Sequence, residues 1–291
     1  MIVQWLRDLP AQYFVTLNLV VLRESNNTLL DHIRLLLAVQ FARNLKRPDN
    51  NPFSWYVNQT LFKRRNVPLE AAAVDACELR PGQNVLEVGF GPGYGILFAA
   101  ERVAPLTMDY LRKHGPLLRV ADRIWQPDTH FTEDGHVYGV DISNYMLKLA
   151  SRRCRKLINY GIVDLSLNSV DHIPQLASTM DACFHVNCFY YWHNMEYALR
   201  NIWRVLRPNG RLVTCFQPDR LKQDYERGWL RYGRGDPVAY ALALEACGFN
   251  RIEWLKKTLS TGSVVPSECI VARKPPIELI SHQLDTVECK S

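Results

Sequence analysis

The chain has 291 residues, of which 47% are hydrophobic, and a formal net charge of +6. This length can bury a large core in one or two domains, and the composition is that of an ordinary globular protein. The mild positive charge permits a polyanionic partner without requiring one, and a solvated basic surface is the favoured explanation.

The eight cysteines include no C-x-x-C pair, and no zinc-ligand spacing occurs, so no metal site is predicted. Two of them, Cys183 and Cys215, lie in apolar runs where cysteine behaves as a small hydrophobic residue. We therefore expect reduced thiols in a reducing, cytoplasmic compartment. Mitochondrial and membrane-peripheral locations stay open as alternatives. The uncharged run at 9–22 is too short to span a membrane.

Residues 1–80 are predicted to form an N-terminal helical extension. Apolar residues follow helical spacing over 28–47, and a second helix is expected from Leu69 to Leu79. One interpretation of the first helix is packing against the following domain. The other is a membrane-surface helix within residues 1–47, because Trp5 and other aromatic residues lie near arginines.

A glycine-rich loop at 84–95 organises the chain that follows. A short apolar run containing Glu87 predicts a buried strand, and glycines follow at 89, 91 and 93. Glycine allows a sharp turn and lets a ligand approach the main chain closely. The spacing is G-x-G-x-G, which does not fit the G-x-G-x-x-G fingerprint of dinucleotide-binding folds. The loop by itself predicts a Rossmann-type site for a phosphate-like or nucleoside-like ligand.

The first crossover helix is predicted over 96–103, and the second strand over 136–141. The segment 104–134 between them is longer than such a connection needs, so we interpret it as an insertion. A crossover helix ends at the sheet edge opposite the ligand. We therefore expect the insertion to serve packing or partner contact.

Asp141 closes the second predicted strand, and Ser143 is a candidate N-cap for a helix over 143–160. The carboxylate lies on the strand next to the glycine loop. It can accept hydrogen bonds from the two hydroxyls of an adenosine ribose. A simple capping aspartate is the alternative, and ribose binding is favoured.

The remaining elements continue the alternation of strands and helices. They are strands at 162–167, 181–187 and 211–216, helices at 195–206 and 238–247, a turn at 207–210, and a closing antiparallel pair at 249–257 and 269–273. The polar segment 217–237 follows the fifth strand and is expected to cover the ligand edge. Residues 274–291 are expected to form a tail.

Taken together, the run 81–273 resembles the class I S-adenosylmethionine (SAM)-dependent methyltransferases. The matching motifs are Glu87-Val-Gly-Phe-Gly-Pro-Gly93, Gly139-Val-Asp141-Ile-Ser143, Asp181 to Trp192, Arg204-Val-Leu-Arg-Pro-Asn-Gly-Arg-Leu-Val213 and Gly248-Phe249. Within the class, the chain is similar to the type 11 branch, which includes ubiquinone and menaquinone C-methyltransferases. The resemblance implies an α/β, Rossmann-like, seven-stranded sheet with helices on both faces. The insertion and Ser169, where an acidic residue is usual, depart from the pattern.

The resemblance also implies the site. SAM would be held by Glu87, Gly89, Gly91, Gly93, Asp141, Ile142, Ser169, Val170 and Asn187, with S-adenosylhomocysteine as product and no metal. Asp171 is an alternative to Ser169 beside the adenine. His193 is the favoured general base, ahead of His185 and His172, and Tyr190 or Tyr191 would orient the acceptor. The aromatic turn after the fourth strand either caps the glycine loop or walls the acceptor pocket.

The predicted function is methyl transfer to a small, lipophilic or aromatic acceptor. RNA or DNA amino-methyltransferases carry Asp/Asn-Pro-Pro-Tyr after the fourth strand. Here Asn187-Cys-Phe-Tyr190 lacks both prolines, so no nucleic acid partner is expected. A SAM-binding protein without turnover is the third hypothesis. The acceptor and the oligomeric state are left undetermined.

Overall fold

A computed structural model describes residues 28–57, 63, 65–121, 132–230, 235–258 and 266–277. The first part of the proposed membrane-surface segment, 1–27, and most of the predicted tail lie outside these residues. Within the described part of the chain, no helix has the length and apolarity needed to cross a bilayer.

Seven strands form one sheet in the order β3-β2-β1-β4-β5-β7-β6. They are β1 (Asn84–Val88), β2 (His136–Asp141), β3 (Val163–Leu167), β4 (Met180–Val186), β5 (Leu206–Phe216), β6 (Asn250–Thr258) and β7 (Pro266–Arg273). The first five strands are parallel, and β7 runs antiparallel to both of its neighbours. The predicted α/β fold and the closing antiparallel pair are confirmed. The carboxyl ends of the five parallel strands therefore meet at one edge, where ligands bind in such sheets.

Helices connect the strands. They are α1 (Thr28–Lys46), α2 (Pro52–Val57), α3 (Val67–Cys77), α4 (Tyr94–Val103), α5 (Pro105–Ala121), α6 (Asn144–Arg153), α7 (Arg155–Asn159), α8 (Met195–Val205), α9 (Pro218–Glu226) and α10 (Pro237–Ala246). Two buried hydrophobic clusters result. One includes Phe90 and Phe184 together with α3, α4 and α6, and the other includes Phe189 and Tyr240 together with α8 and α10.

The N-terminal helices are joined to the sheet domain. α3 packs against α4, β4 and β5, and its buried residues include Leu69 and Ala73. α1 and α2 are tied together by a buried hydrogen bond of 2.6 Å from the Ser54 hydroxyl to the Asn44 side-chain oxygen. This arrangement favours the packed interpretation of the extension, although three leucines of α1, at 35–37, are exposed.

Two element boundaries differ from the sequence predictions. The helix expected over 143–160 is divided at Cys154, whose ψ of 8° departs from helical values and separates α6 from α7. The residues predicted as a turn at 207–210 fall within β5. Met180 of β4 pairs with Leu206 of β5, and the next pair is Ala182 with Arg211. The extra residues of β5 between these two pairs therefore bulge out of the ladder.

The expectation of reduced thiols is wrong for one pair, because a disulfide joins Cys215 to Cys269. The two residues face each other across β5 and β7 with their Cα atoms 4.3 Å apart. That separation is typical of directly opposed antiparallel residues and lies just below the usual range for disulfides. The two cysteines are 54 residues apart in the sequence, and only the register of β5 and β7 places them opposite each other. Cysteine spacing alone does not reveal this pair.

The inserted segment begins with α5, which packs on α4. The Asp134 carboxylate accepts hydrogen bonds from the N–H groups of Leu106 and Thr107 at 3.1 and 2.7 Å, which caps the first turn of α5. The described residues of the segment lie away from the cleft at the ligand edge of the sheet.

Candidate active site

One cleft opens at the carboxyl ends of β1, β2, β4 and β5, and we refer to it as the cleft throughout. Its walls come from the glycine loop, the β2–α6 junction, the turn after β3, the aromatic turn after β4, helix α9 and the N-terminal extension. The predicted residues that line it are Gly89, Gly91, Asp141, Ile142, Ser169, Val170, Asp171, Asn187, Tyr190, Tyr191 and His193. The sheet therefore brings together residues that are more than a hundred positions apart in the sequence.

The three loop glycines have φ angles of 73°, 51° and 83°, which side-chain-bearing residues rarely adopt. A Cβ at Gly89 would lie 2.7 Å from the Cys188 sulfur, and one at Gly93 would lie 2.9 Å from the Ala150 Cβ. A Cβ at Gly91 would meet nothing within 4 Å. Gly91 therefore exposes its backbone to the cleft, whereas Gly93 lies behind the loop and permits close packing of α6.

Asp141 is joined to the glycine loop. One carboxylate oxygen accepts from the Gly91 N–H at 2.9 Å, and the other accepts from the Ser143 N–H at 2.8 Å. Burial raises the pKa of Asp141 to about 6, while the backbone donors at Ser143 and Gly91 act to lower it. The Ile142 N–H also acts on this carboxylate, and the remaining lone-pair sites can accept from a ligand hydroxyl.

Two buried glutamates meet the first turn of α4. Glu87 accepts from the Ile96 N–H and Glu70 from the Gly95 N–H, and the two side chains are only 1% and 4% exposed. Among the described residues, one carboxylate oxygen of each has no hydrogen-bond partner. Burial raises the pKa of Glu87 well above its ordinary value and that of Glu70 to about 8. Glu70 lines the cleft and Glu87 lies behind it.

The N-terminal extension completes one wall of the cleft. The Ser143 hydroxyl accepts from the Met146 N–H, as its predicted N-cap role requires, and donates to the Pro48 carbonyl oxygen. The Asn187 side-chain amide donates to the Asn66 side-chain oxygen at 3.1 Å. Lys46 also lines the cleft. These contacts hold the extension against the segments that follow β2 and β4, on either side of the glycine loop.

The turn after β3 carries both candidates for contact with an adenine. Ser169 accepts from the Asp171 N–H at 3.2 Å and donates its hydroxyl proton to the Asp171 carboxylate at 3.0 Å. Val170 between them is buried. The two side chains therefore act as one hydrogen-bonded unit, which leaves the Asp171 carboxylate beside the cleft.

The aromatic turn after β4 is a short 3₁₀ helix, Phe189–Tyr191. The rings of Tyr190 and Tyr191 meet edge to face with centroids 4.7 Å apart. Burial raises the pKa of both tyrosines, so both hydroxyls keep their protons. Phe189 packs into the core, whereas His193 is exposed at the cleft. The turn therefore serves as both a core cap and a cleft wall.

His185 is a buried structural histidine. Its ring nitrogens lie 2.8 Å from the Tyr240 hydroxyl and 3.1 Å from the Thr214 hydroxyl. Burial lowers the pKa of His185 to about 3, so the ring is neutral at ordinary pH. The structure places neither His185 nor His172 among the residues that line the cleft.

Comparison with known proteins gives a consistent result. A family model for the type 11 methyltransferase domain matches residues 124–214. The demethylmenaquinone methyltransferase of Tropheryma whipplei is 33% identical over 261 residues, covering 80% of this chain and 94% of that protein. An uncharacterised methyltransferase of Bacillus subtilis, YdaC, is 27% identical over 215 residues, covering 74% of this chain and 96% of that protein. The chain belongs to the class I SAM-dependent methyltransferases.

The fold agrees with this assignment. A solved SAM-dependent methyltransferase from Aquifex aeolicus superposes with a TM-score of 0.51 at 17% identity, covering 74% of this chain and 95% of that one. The family cofactor also fits the cleft. The open backbone at Gly91, the acceptors on Asp141 and the unpaired oxygen of Glu70 suit an amino-acid nucleoside.

Sequence reasoning missed several residues of this methyltransferase site. Glu70, Pro48 and Asn66 come from the extension, and Arg220 and Asp224 come from α9. The spacing of Arg220 and Asp224 puts them on one face of a helix in the segment predicted to cover the site. The extension residues gave no comparable signal, because their role depends on how the extension packs against the sheet.

Proposed function

We propose that this methyltransferase moves the SAM methyl group to a small, lipophilic or aromatic acceptor. The single observation that carries this proposal is the aromatic wall. Tyr190, Tyr191, Trp192 and His193 line the same cleft as the glycine loop. Aromatic side chains bury a large apolar area and favour stacked or edge-to-face contact with a ring.

The cofactor would lie along the β1 and β2 side of the cleft. Asp141 would accept from the ribose hydroxyls, and Ile142 and Val170 would flank the adenine with the Ser169–Asp171 unit at its polar edge. Gly89, Gly91 and Asn187 would border the amino-acid tail. The unpaired oxygen of Glu70 would receive the ammonium group, with the buried Glu87 side chain lying behind it.

Methyl transfer from SAM depends mainly on aligning the acceptor with the methyl group. When bound, SAM supplies a methyl group on a positively charged sulfur that leaves as a neutral thioether, so the protein mainly holds the acceptor in line. Tyr190 and Tyr191 remain protonated and can donate to an acceptor oxygen. His193, exposed at the cleft, can take a proton from an acceptor that must lose one.

The relatives support an aromatic acceptor. The Tropheryma whipplei protein, which matches over most of its length, is named for methylation of demethylmenaquinone. An aromatic, quinone-type molecule is therefore the first acceptor to test.

The test is methyl transfer from labelled SAM by the full chain. The panel contains a reduced naphthoquinone lacking the ring methyl group, simple phenols and a short RNA. We expect label on a ring compound, and His193→Ala should slow transfer about 100-fold while S-adenosylhomocysteine affinity stays unchanged. Label on RNA alone would contradict the proposal, and cofactor binding without transfer to any member of the panel would favour a binding protein.

A further inference from the structure

Helix α9 places a charged pair beside the aromatic wall. Arg220 and Asp224 both line the cleft, and the Arg220 Nε lies 3.5 Å from an Asp224 carboxylate oxygen. Arg227 approaches the other oxygen of Asp224 with 3.7 Å between the atoms. Both separations exceed those of a charge-assisted hydrogen bond, which is near 2.8 Å. The aspartate is thus paired loosely with two cations.

Positive charge is in excess here. Arg65 from the extension also interacts electrostatically with Asp224, so three guanidinium groups surround one carboxylate. Asp224 is 7% exposed, and the Arg220 side chain is 16% exposed. A surplus of charge in a partly dehydrated site favours a ligand of opposite sign.

Arg220 also has an unused donor. Its Nη1 atom is buried and has no hydrogen-bond partner within the part of the chain that the structure describes. Buried polar groups in proteins are almost always paired, and an unpaired donor costs free energy. An acceptor oxygen supplied by a ligand in the cleft would satisfy it.

The position of this donor suits the methyl acceptor. The charges of Arg220 and Asp224 act on the hydroxyls of both Tyr190 and Tyr191, which places the pair next to the aromatic wall. The glycine loop follows β1 and Asp141 ends β2, whereas α9 follows β5. Because β4 lies between β1 and β5 in the sheet, α9 borders the part of the cleft away from Asp141.

We propose that Arg220 binds a negatively charged oxygen of the methyl acceptor, with Asp224 holding the guanidinium in place. The acceptor class is then an aromatic or lipophilic molecule that carries an anionic oxygen, such as a phenolate, carboxylate or phosphate. This inference rests on the proposed function. Arg220 is assigned to recognition of the acceptor, and Asp224 is a positioning residue.

The test measures binding to the full chain saturated with S-adenosylhomocysteine. Isothermal titration compares 2-naphthoate with the neutral 2-naphthamide, and separate arms use naphthyl phosphate and ionised 2-naphthol to identify the anionic group. Wild type should bind one of the anions about tenfold or more tightly than the amide. Arg220→Met should abolish that preference, and Arg220→Lys should retain part of it. Lys222→Met, which removes an exposed charge from the same helix, should change nothing.

The outcomes separate the two proposals. Failure of S-adenosylhomocysteine to bind would overturn the assigned cofactor site. Normal cofactor binding together with equal affinity for amide and anions, or no binding of any naphthyl compound, would overturn the role of Arg220. Because the wild-type comparison needs no variant, the inference stays testable if Arg220→Met does not fold. The preference of the wild-type protein for the anion over the neutral amide should also weaken with added salt.

Discussion

The Asp141 carboxylate accepts a hydrogen bond from the Gly91 N–H at 2.9 Å. The candidate ribose anchor on β2 is thus also the group that fixes the glycine loop after β1. A change at either residue affects the other, because this hydrogen bond joins the two strand ends directly.

We expect Asp141→Ala to weaken binding of S-adenosylhomocysteine by about ten- to a hundredfold. The substitution removes a charge-assisted contact, and such contacts contribute ~1.5–3 kcal/mol. Titration calorimetry measures the loss. Asp164→Ala is the matched control, since it removes an exposed carboxylate from β3 that pairs with His136. An unchanged affinity for Asp141→Ala would refute the ribose assignment.

Cofactor affinity should fall as the solution is acidified from about pH 7 to about pH 5. The pKa of Asp141 is raised to about 6, and a protonated carboxyl loses acceptor capacity.

The effect of the Asp141 titration on the stability of the fold should have the opposite sign. Since the folded-state pKa exceeds the ordinary value of 3.8, the folded protein binds extra protons between pH 3.8 and about 6. This group therefore stabilises the fold at low pH, and that contribution is lost as the pH rises.

The pH experiment has an internal control. Asp141→Asn cannot titrate, so its cofactor affinity should show no step near pH 6. Calorimetry of both proteins across the range gives the comparison. A step of equal size in the variant would assign the titration to another group.

We expect Glu70→Gln to weaken S-adenosylhomocysteine binding about tenfold and to leave 5′-methylthioadenosine binding unchanged. Only the first ligand has the ammonium group that the free carboxylate oxygen would receive. The wild-type affinity should also improve as pH rises towards about 8, the value to which burial raises the pKa of Glu70. Glu78→Gln, an exposed change at the end of the same helix, is the control. Equal losses for both ligands would indicate structural damage instead.

Ser143→Ala should lower the free energy of unfolding by about 2 kcal/mol, because both a helix cap and the bond to Pro48 are lost. Asn194→Ala removes only the cap of α8 and should cost about 1 kcal/mol. Urea denaturation of the two variants measures the difference. Equal costs would mean that the tie to the extension contributes little.

Much of the fold could be predicted because strands and helices are indicated by residue patterns that span only a few positions. The apolar run before Gly89 became β1, the run ending at Asp141 became β2, and Ser143 became the N-cap of α6. The closing antiparallel pair followed from alternation at the C-terminal end of the domain. Spacing and turn chemistry act over a few residues, so they can be seen in a single sequence.

The rest depended on contacts between distant parts of the chain. Cys215 and Cys269 are opposed only through strand register, and Glu70 reaches the cleft only because α3 packs on α4. Arg220 lies beside Tyr190 because α9 returns over the aromatic turn. The sequence by itself determined the order of elements, the glycine loop and its partner Asp141. Tertiary packing decided which buried charges face the cleft, because dehydration and pairing depend on neighbours that no local pattern specifies.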